Sequence, residues 1–306
     1  MRILFSGASG VVGIRAVPLL LAAGHTVSVL TRHSAAGQPV APAGVRRIAA
    51  DLFDVASLKQ AAIGHDVLIN LATHMPKPAW KMAFRSAWRQ NDRIRKEGVA
   101  NLVSAALDAG VTIFIQESFA LTYPDQADCW IDEDIPLRPA EYNKTVVDAE
   151  ASTARFSGAG RTGVVLRFAA FYGADAMQMR SIIGALRKGL ALLPGGPERF
   201  ISSVSHDDAA TAVVAALKCP AGAYNVVDDE PVRRAEYFGA LANALGVKPP
   251  YFLPAWTAPL FGAVGETMAR SLRISNRLLK EKTGWKAMFP SVREGWPVVL
   301  SQTKES

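Results

Sequence analysis

The chain has 306 residues, half of them hydrophobic, with 34 Lys and Arg against 27 Asp and Glu and a net charge of +7. That length suits one large or two modest domains with a sizeable core. The two cysteines, Cys129 and Cys219, have no metal-ligand spacing and argue against a disulfide framework, so no metal is expected and a reducing, cytoplasmic setting is.

Lys and Arg are scattered and form no block with interleaved aromatics, so nucleic acid is not an expected partner. No apolar run reaches the roughly 18 residues of a membrane helix, and Arg2 with the glycines interrupts any signal-peptide pattern. A positive field that attracts an anionic cofactor is the simpler account of the charge.

In chain order, Arg2 to Ser6 reads as a short apolar strand running into Gly7, Gly10 and Gly13 and then a helix over 12–23. Gly7 allows a tight turn, Gly10 lets the backbone approach a pyrophosphate, and Gly13 allows the helix to pack closely on the sheet. The helix N-terminus offers N–H groups and partial positive charge to the phosphates. Further strands are expected at 26–30, 44–49, 65–71, 112–116 and 162–167. Helices are expected at 55–62, broadly 79–109, and 141–156. This alternation predicts an α/β fold, a doubly wound parallel Rossmann sheet with right-handed crossovers over residues 1–173. Residues 174–306 read as a smaller, mostly helical substrate lobe, from which a segment near 200–227 returns to the sheet.

The order of motifs resembles the short-chain dehydrogenase/reductase superfamily, in its extended, epimerase/dehydratase-like branch. The elements that carry the resemblance are Gly7-x-x-Gly10-x-x-Gly13, Asp51-Leu52 after the third strand and Asn70-Leu71-Ala72 after the fourth. Tyr123, Glu141-Tyr142, Asp148-Ala149-Glu150, the run from Arg167 to Gly173, and Ser205-His206-Asp207-Asp208 follow. The resemblance implies a cofactor site built from Gly7, Ser9, Gly10, Val11, Val12 and Gly13, with Asp51 on the adenine. Leu52, Leu71, Ala72, Thr73 and Phe168 complete its lining. At the end of the second strand stands Thr31-Arg32 in place of an acidic residue. A guanidinium there suits a 2′-phosphate, which favours NADP(H) and leaves NAD(H) possible.

The acid/base set departs from the family. Tyr142 occupies the position of the proton-exchanging Tyr, but the family's Lys position, four residues on, is Val146. Lys144 at i+2 lies about 200° round a helix and cannot substitute unless the helix starts later. The family's Ser position falls on Phe119, with Ser118 beside it, and its Asn position on the long helix is Arg95. Tyr142 and Ser118 are therefore the candidate catalytic residues. Glu117 at a strand end is read as a base or substrate contact, or else as a partner of a nearby Arg. His74 is placed near the nicotinamide end, and His206 is read as a helix cap.

The sugar-nucleotide pattern after the sixth strand is replaced by Phe168 and Ala170. Met75, Trp80, Met82, Phe84 and Trp88 crowd the segment after the fourth strand, and Phe171 follows the sixth. The expected substrate is therefore a small, rather apolar carbonyl or alcohol, contacted by His74, Glu117, Trp80 and Phe171. The expected activity is NADP(H)-dependent oxidoreduction by a monomer or homodimer. A tightly held-cofactor sugar epimerase or dehydratase, and a non-catalytic NADPH-binding sensor, are the alternatives.

Overall fold

The computed structural model describes residues 1–32, 44–77, 81–82, 84–173, 177–189, 192–193 and 196–301. The main sheet consists of β1 (Arg2–Ser6), β2 (Thr26–Thr31), β3 (Arg46–Ala49), β4 (Val67–Asn70), β5 (Ile113–Phe119), β6 (Thr162–Phe168) and β7 (Gly222–Val226). Its order is β3-β2-β1-β4-β5-β6-β7, and every neighbouring pair is parallel. The chain reverses direction across the sheet between β1 and β4. That switch point opens a crevice at the carboxyl ends of the strands, where ligands of such folds bind.

The central strands are near-continuous apolar runs because both faces are covered. Ile3, Leu4, Phe5, Val67, Leu68 and Ile69 are all buried. Alternate side chains divide between two cores. Ile3 and Phe5 pack with Val17 and Leu20 of α1 (Gly13–Ala22) and with Val213. Leu4 packs with Leu58 of α2 (Val55–Ala62), Leu102 of α3 (Val99–Asp108) and Phe156 of α4 (Val146–Gly158). A third core, built on Tyr172, Tyr237, Leu241 and Trp296, holds the C-terminal lobe. Within it the Tyr172 and Trp296 rings lie 5.1 Å apart.

Three departures from the sequence reading shape the site. The strand expected to stop at Gln116 continues to Phe119, so Glu117 and Ser118 pair with Leu166 and Arg167 inside the sheet. The helix expected over 79–109 is composite. A 3-10 turn (Arg85–Trp88) leads into an α turn (Arg89–Arg93), a π turn (Ile94–Gly98) and then α3. A π turn inserts a residue into the helical repeat and re-aims its side chains. The helix expected from Glu141 is a 3-10 turn (Glu141–Asn143), and α4 starts only at Val146.

Candidate active site at the carboxyl edge of the sheet

Gly7 has φ +87°, and a Cβ there would lie 2.5 Å from the carbonyl carbon of Leu71 and 2.6 Å from the nitrogen of Ala72. The first turn is thus pressed against the segment leaving β4, and only glycine fits. A Cβ on Gly13 would sit 2.4 Å from the Gly7 oxygen. Its requirement comes from the turn's own backbone, and not from helix–sheet packing as the sequence suggested. Gly10 is exposed, donates its N–H to the Gly7 oxygen at 3.0 Å, and would place a Cβ 3.3 Å from that same oxygen. Ser9 and Val11 share the exposed rim, while Val12 is buried in the core.

The residues of this turn fit a dinucleotide. Helix α1 begins with no side-chain cap and no acidic residue in its first turn. The N–H groups of Ile14, Arg15 and Ala16 bond the Gly10 and Val12 carbonyls, and the positive dipole end at Gly13 is where a pyrophosphate would be held. Arg32 is exposed beyond β2, and the Thr31 hydroxyl reaches the Ile48 carbonyl at 3.5 Å. Past β3, the Asp51 carboxylate accepts from Phe53 N–H at 3.0 Å, and the Leu52 carbonyl accepts from Asn101 at 3.0 Å. Both bonds fix the loop that would border the adenine.

After β4 the chain is fixed by buried amides. Asn70 donates to Gln116 at 2.9 Å and accepts from Ala72 N–H, and Asn91 accepts from His74 N–H at 2.9 Å. Leu71 and Ala72 are half-buried and Thr73 and His74 exposed. His74 lines a groove of about 450 Å³ with Pro76, Lys77, Lys81 and Phe84. Trp80, expected here, lies outside the described residues. Beyond β6, Phe168 and Phe171 stack at 5.4 Å, and His206 lies 5.5 Å from Phe171. His206 does not cap its helix: the Ser205 side chain does, accepting from Asp208 N–H at 2.9 Å.

Tyr142 is buried, with its ring 4.8 Å from that of Trp88. Burial pushes its phenol above the ordinary value, while Thr267 and the cations Arg270 and Arg95 pull the other way. Val146 is 1% exposed at the start of α4. Lys144 is turned outward, donating to Glu141 at 2.6 Å on the surface. The late start of α4 therefore does not bring Lys144 into the lysine's role.

Ser118 and Glu117 are both committed to ionic networks. The Ser118 hydroxyl donates to Glu150 at 2.5 Å, and Arg167 grips the same carboxylate at 3.0 and 2.7 Å. Arg167 continues to the Tyr123 hydroxyl at 2.7 Å, which donates to Asn225 on β7. Glu117 accepts from Arg95 at 3.2 and 3.4 Å in a buried ion pair. Of the two sequence readings of Glu117, the arginine partner is the one seen. Sequence reasoning quoted Glu150 and Arg167 only as motif flanks and Arg95 only as a displaced Asn. A charged residue on an otherwise inward helix face was the available signal for Arg95. Thr267 and Arg270 are too remote in sequence to have given one.

Comparison with known proteins agrees with this architecture. The model of the NAD dependent epimerase/dehydratase family matches residues 3–226. A Streptomyces 3-diazoavenalumate denitrifying reductase is 33% identical over 96% of this chain and 99% of its own. A Stigmatella aurantiaca 4-hydroxy-2-methyl-3-oxo-4-farnesyl-3,4-dihydroquinoline-1-oxide ketoreductase is 29% identical over 89% of this chain and 82% of its own. Among solved structures, the human epimerase family protein SDR39U1, crystallised with NADPH, superposes with a TM-score of 0.82. It is 21% identical over 98% of this chain and 99% of its own, a likeness of fold. A turn whose Gly7 and Gly13 leave no room for a Cβ, an uncapped helix behind it and a family match across most of the chain lead to one conclusion: the chain belongs to the NAD dependent epimerase/dehydratase family.

Proposed function

We propose that this protein is an NADPH-dependent reductase acting on a small, rather apolar acceptor at the carboxyl edge of the sheet. The observation that carries the reading is a contrast within one site. The dinucleotide turn is intact, yet the position that would hold a catalytic lysine is the buried Val146. The turn from Gly7 to Gly13 would hold the pyrophosphate, Arg32 the 2′-phosphate, and Leu71 to Thr73 the nicotinamide half. NADPH, when bound, supplies hydride.

This chain's own residues bias the direction. A buried phenol at Tyr142 keeps its proton at neutral pH and is a donor, not a base. It can protonate the oxygen of a carbonyl being reduced, but it removes a proton from an alcohol poorly. Ser118 is assigned to structure, because its hydroxyl is already donated to Glu150. Phe171, half-buried after β6, and the exposed Phe84 of the groove supply apolar surface.

Two acceptor classes follow, each with its own support. Tyr142 and the ketoreductase relative favour a ketone. The dismantled acid/base set and the denitrifying reductase favour an aryl diazo group. An arene diazonium that gains hydride at carbon loses its C–N bond and releases N₂; from an ortho-quinone diazide this leaves a phenolate that water protonates afterwards, so the transfer itself needs no proton donor.

The test is NADPH oxidation with a panel of aryl ketones, an ortho-quinone diazide and UDP-glucose, each product identified by mass. Reduction of a ketone or loss of N₂ supports the reading. Isomerised sugar with no net cofactor consumption would replace it with epimerase chemistry.

A further inference from the structure

The Arg85–Asp108 helical stretch and the Glu141–Val146 segment are docked along one line. The Trp88 ring packs tilted against that of Tyr142, and one turn on, Asp92 accepts from the Thr145 hydroxyl at 2.9 Å. Trp88, Asn91 and Arg95 are all buried, marking one inward face of that stretch. The π turn Ile94–Gly98 carries Arg95 and packs against α4, the helix that begins with Val146. There Arg95 meets Glu117, with the two side chains 7% and 11% exposed. Beside Tyr142, the Asn143 amide is buried and makes no well-formed hydrogen bond.

We propose that Arg95 is a positioning residue for Tyr142: held in place by Glu117, its guanidinium supplies the fixed positive charge that Val146 cannot, with Arg270 as a second cation. The proposal rests on the reading of Tyr142 as the proton donor. A phenol that gives up its proton becomes a buried anion, and a fixed cation stabilises that anion where water is excluded. Arginine suits the task because it stays charged when buried. Arg270 is itself fixed, donating to the Tyr123 and Arg138 carbonyls at 2.9 Å.

Arg85, Asp92, Glu141 and Lys144, the charges flanking Tyr142 on these two segments, are paired among themselves. Arg85 engages Asp92 and Glu141, and Lys144 also engages Glu141. Glu266 lies near Arg270. Among the described residues, Glu117 is the negative group bonded to Arg95. It holds the guanidinium and at the same time dilutes its charge.

That double role gives a test with opposite signs. 3,5-Difluorotyrosine placed at position 142 gives a single fluorine signal whose titration reports the phenol directly, without substrate or cofactor. Arg95→Gln should raise the titration midpoint, lowering the midpoint proton concentration about threefold or more, and Arg270→Gln should act in the same direction. Glu117→Gln should lower the midpoint, because the arginine is left charged and undiluted. A purely structural role would move both Arg95→Gln and Glu117→Gln the same way or not at all, and either result overturns the proposal. Should Arg95→Gln fail to fold, the direction of the Glu117→Gln shift decides alone. Opposed shifts in a protein whose Tyr142→Phe variant reduces ketones normally would leave the electrostatics standing and overturn the donor reading instead.

Discussion

The three glycines of the first turn should separate folding from cofactor binding. At Gly7 a methyl group would meet backbone atoms at 2.5 and 2.6 Å in a φ +87° conformation. The backbone strain costs about 1–3 kcal/mol and the overpacking about 1–3 more, so Gly7→Ala should lose about 2–6 kcal/mol. That is a large share of the roughly 5–15 kcal/mol that holds a domain folded. Gly13→Ala, at 2.4 Å from the Gly7 oxygen, should lose the overpacking part. Gly10→Ala meets one atom at 3.3 Å with an ordinary φ, and the smaller freedom of its unfolded chain offsets a few tenths of an ångström of shift. Its stability should stay within about 1 kcal/mol of wild type. The methyl would nevertheless project from the exposed rim proposed to hold the pyrophosphate, and should weaken NADPH by about tenfold or more. Urea unfolding and titration of NADPH fluorescence on all three variants read both quantities. A Gly10→Ala protein that binds NADPH normally, or unfolds as readily as Gly7→Ala, would refute the reasoning.

Three further outcomes are expected. Arg32→Glu should weaken NADPH far more than NADH, since it replaces a phosphate partner by a repelling charge, and equal losses in parallel titrations would remove the NADP preference. Tyr142→Phe should leave NADPH affinity unchanged and slow ketone reduction about 10²- to 10⁴-fold, while loss of N₂ from a diazo arene, which needs no proton donor, should persist. Asp228 is buried, which pushes its carboxyl well above the usual range, and one of its oxygens has no hydrogen-bond partner. The folded state holds that proton more tightly than the unfolded chain, so wild-type stability is greatest below the ordinary carboxyl range and declines as pH rises toward the folded value. Asp228→Asn should therefore be more stable than wild type at pH 8 and equal to it near pH 4 by urea unfolding.

The fold was legible because its signals are local. The strand ending in Gly7, the helix stop at Gly24 with φ +80°, and the apolar runs of β1 and β4 each follow from nearby residues. The carboxyl edge of the sheet was legible for the same reason, since parallel strands place every strand-end loop on one side. Tyr142 and Ser118 were named from the family resemblance and Glu117 from its place at a strand end, but their surroundings were not readable. Strand β5 runs three residues further than its apolar pattern because Glu150, Arg167 and Arg95 satisfy the polar residues at its end. Those partners come from α4, β6 and a π turn, and no periodicity argument joins them. The π turn was hidden too, since one extra residue in a helix leaves a nearly helical pattern.

The central claim is that this site delivers hydride from NADPH to a bound acceptor. Its most direct measurement is a single turnover with NADPH carrying two deuteriums at nicotinamide C4, enzyme in excess, an aryl ketone or an ortho-quinone diazide as acceptor, and mass analysis of the product. The account predicts one deuterium on the reduced carbon for each nicotinamide oxidised, with the reaction proceeding at neutral pH. NADPH that binds tightly and returns unoxidised with every acceptor, its deuterium retained, would contradict it.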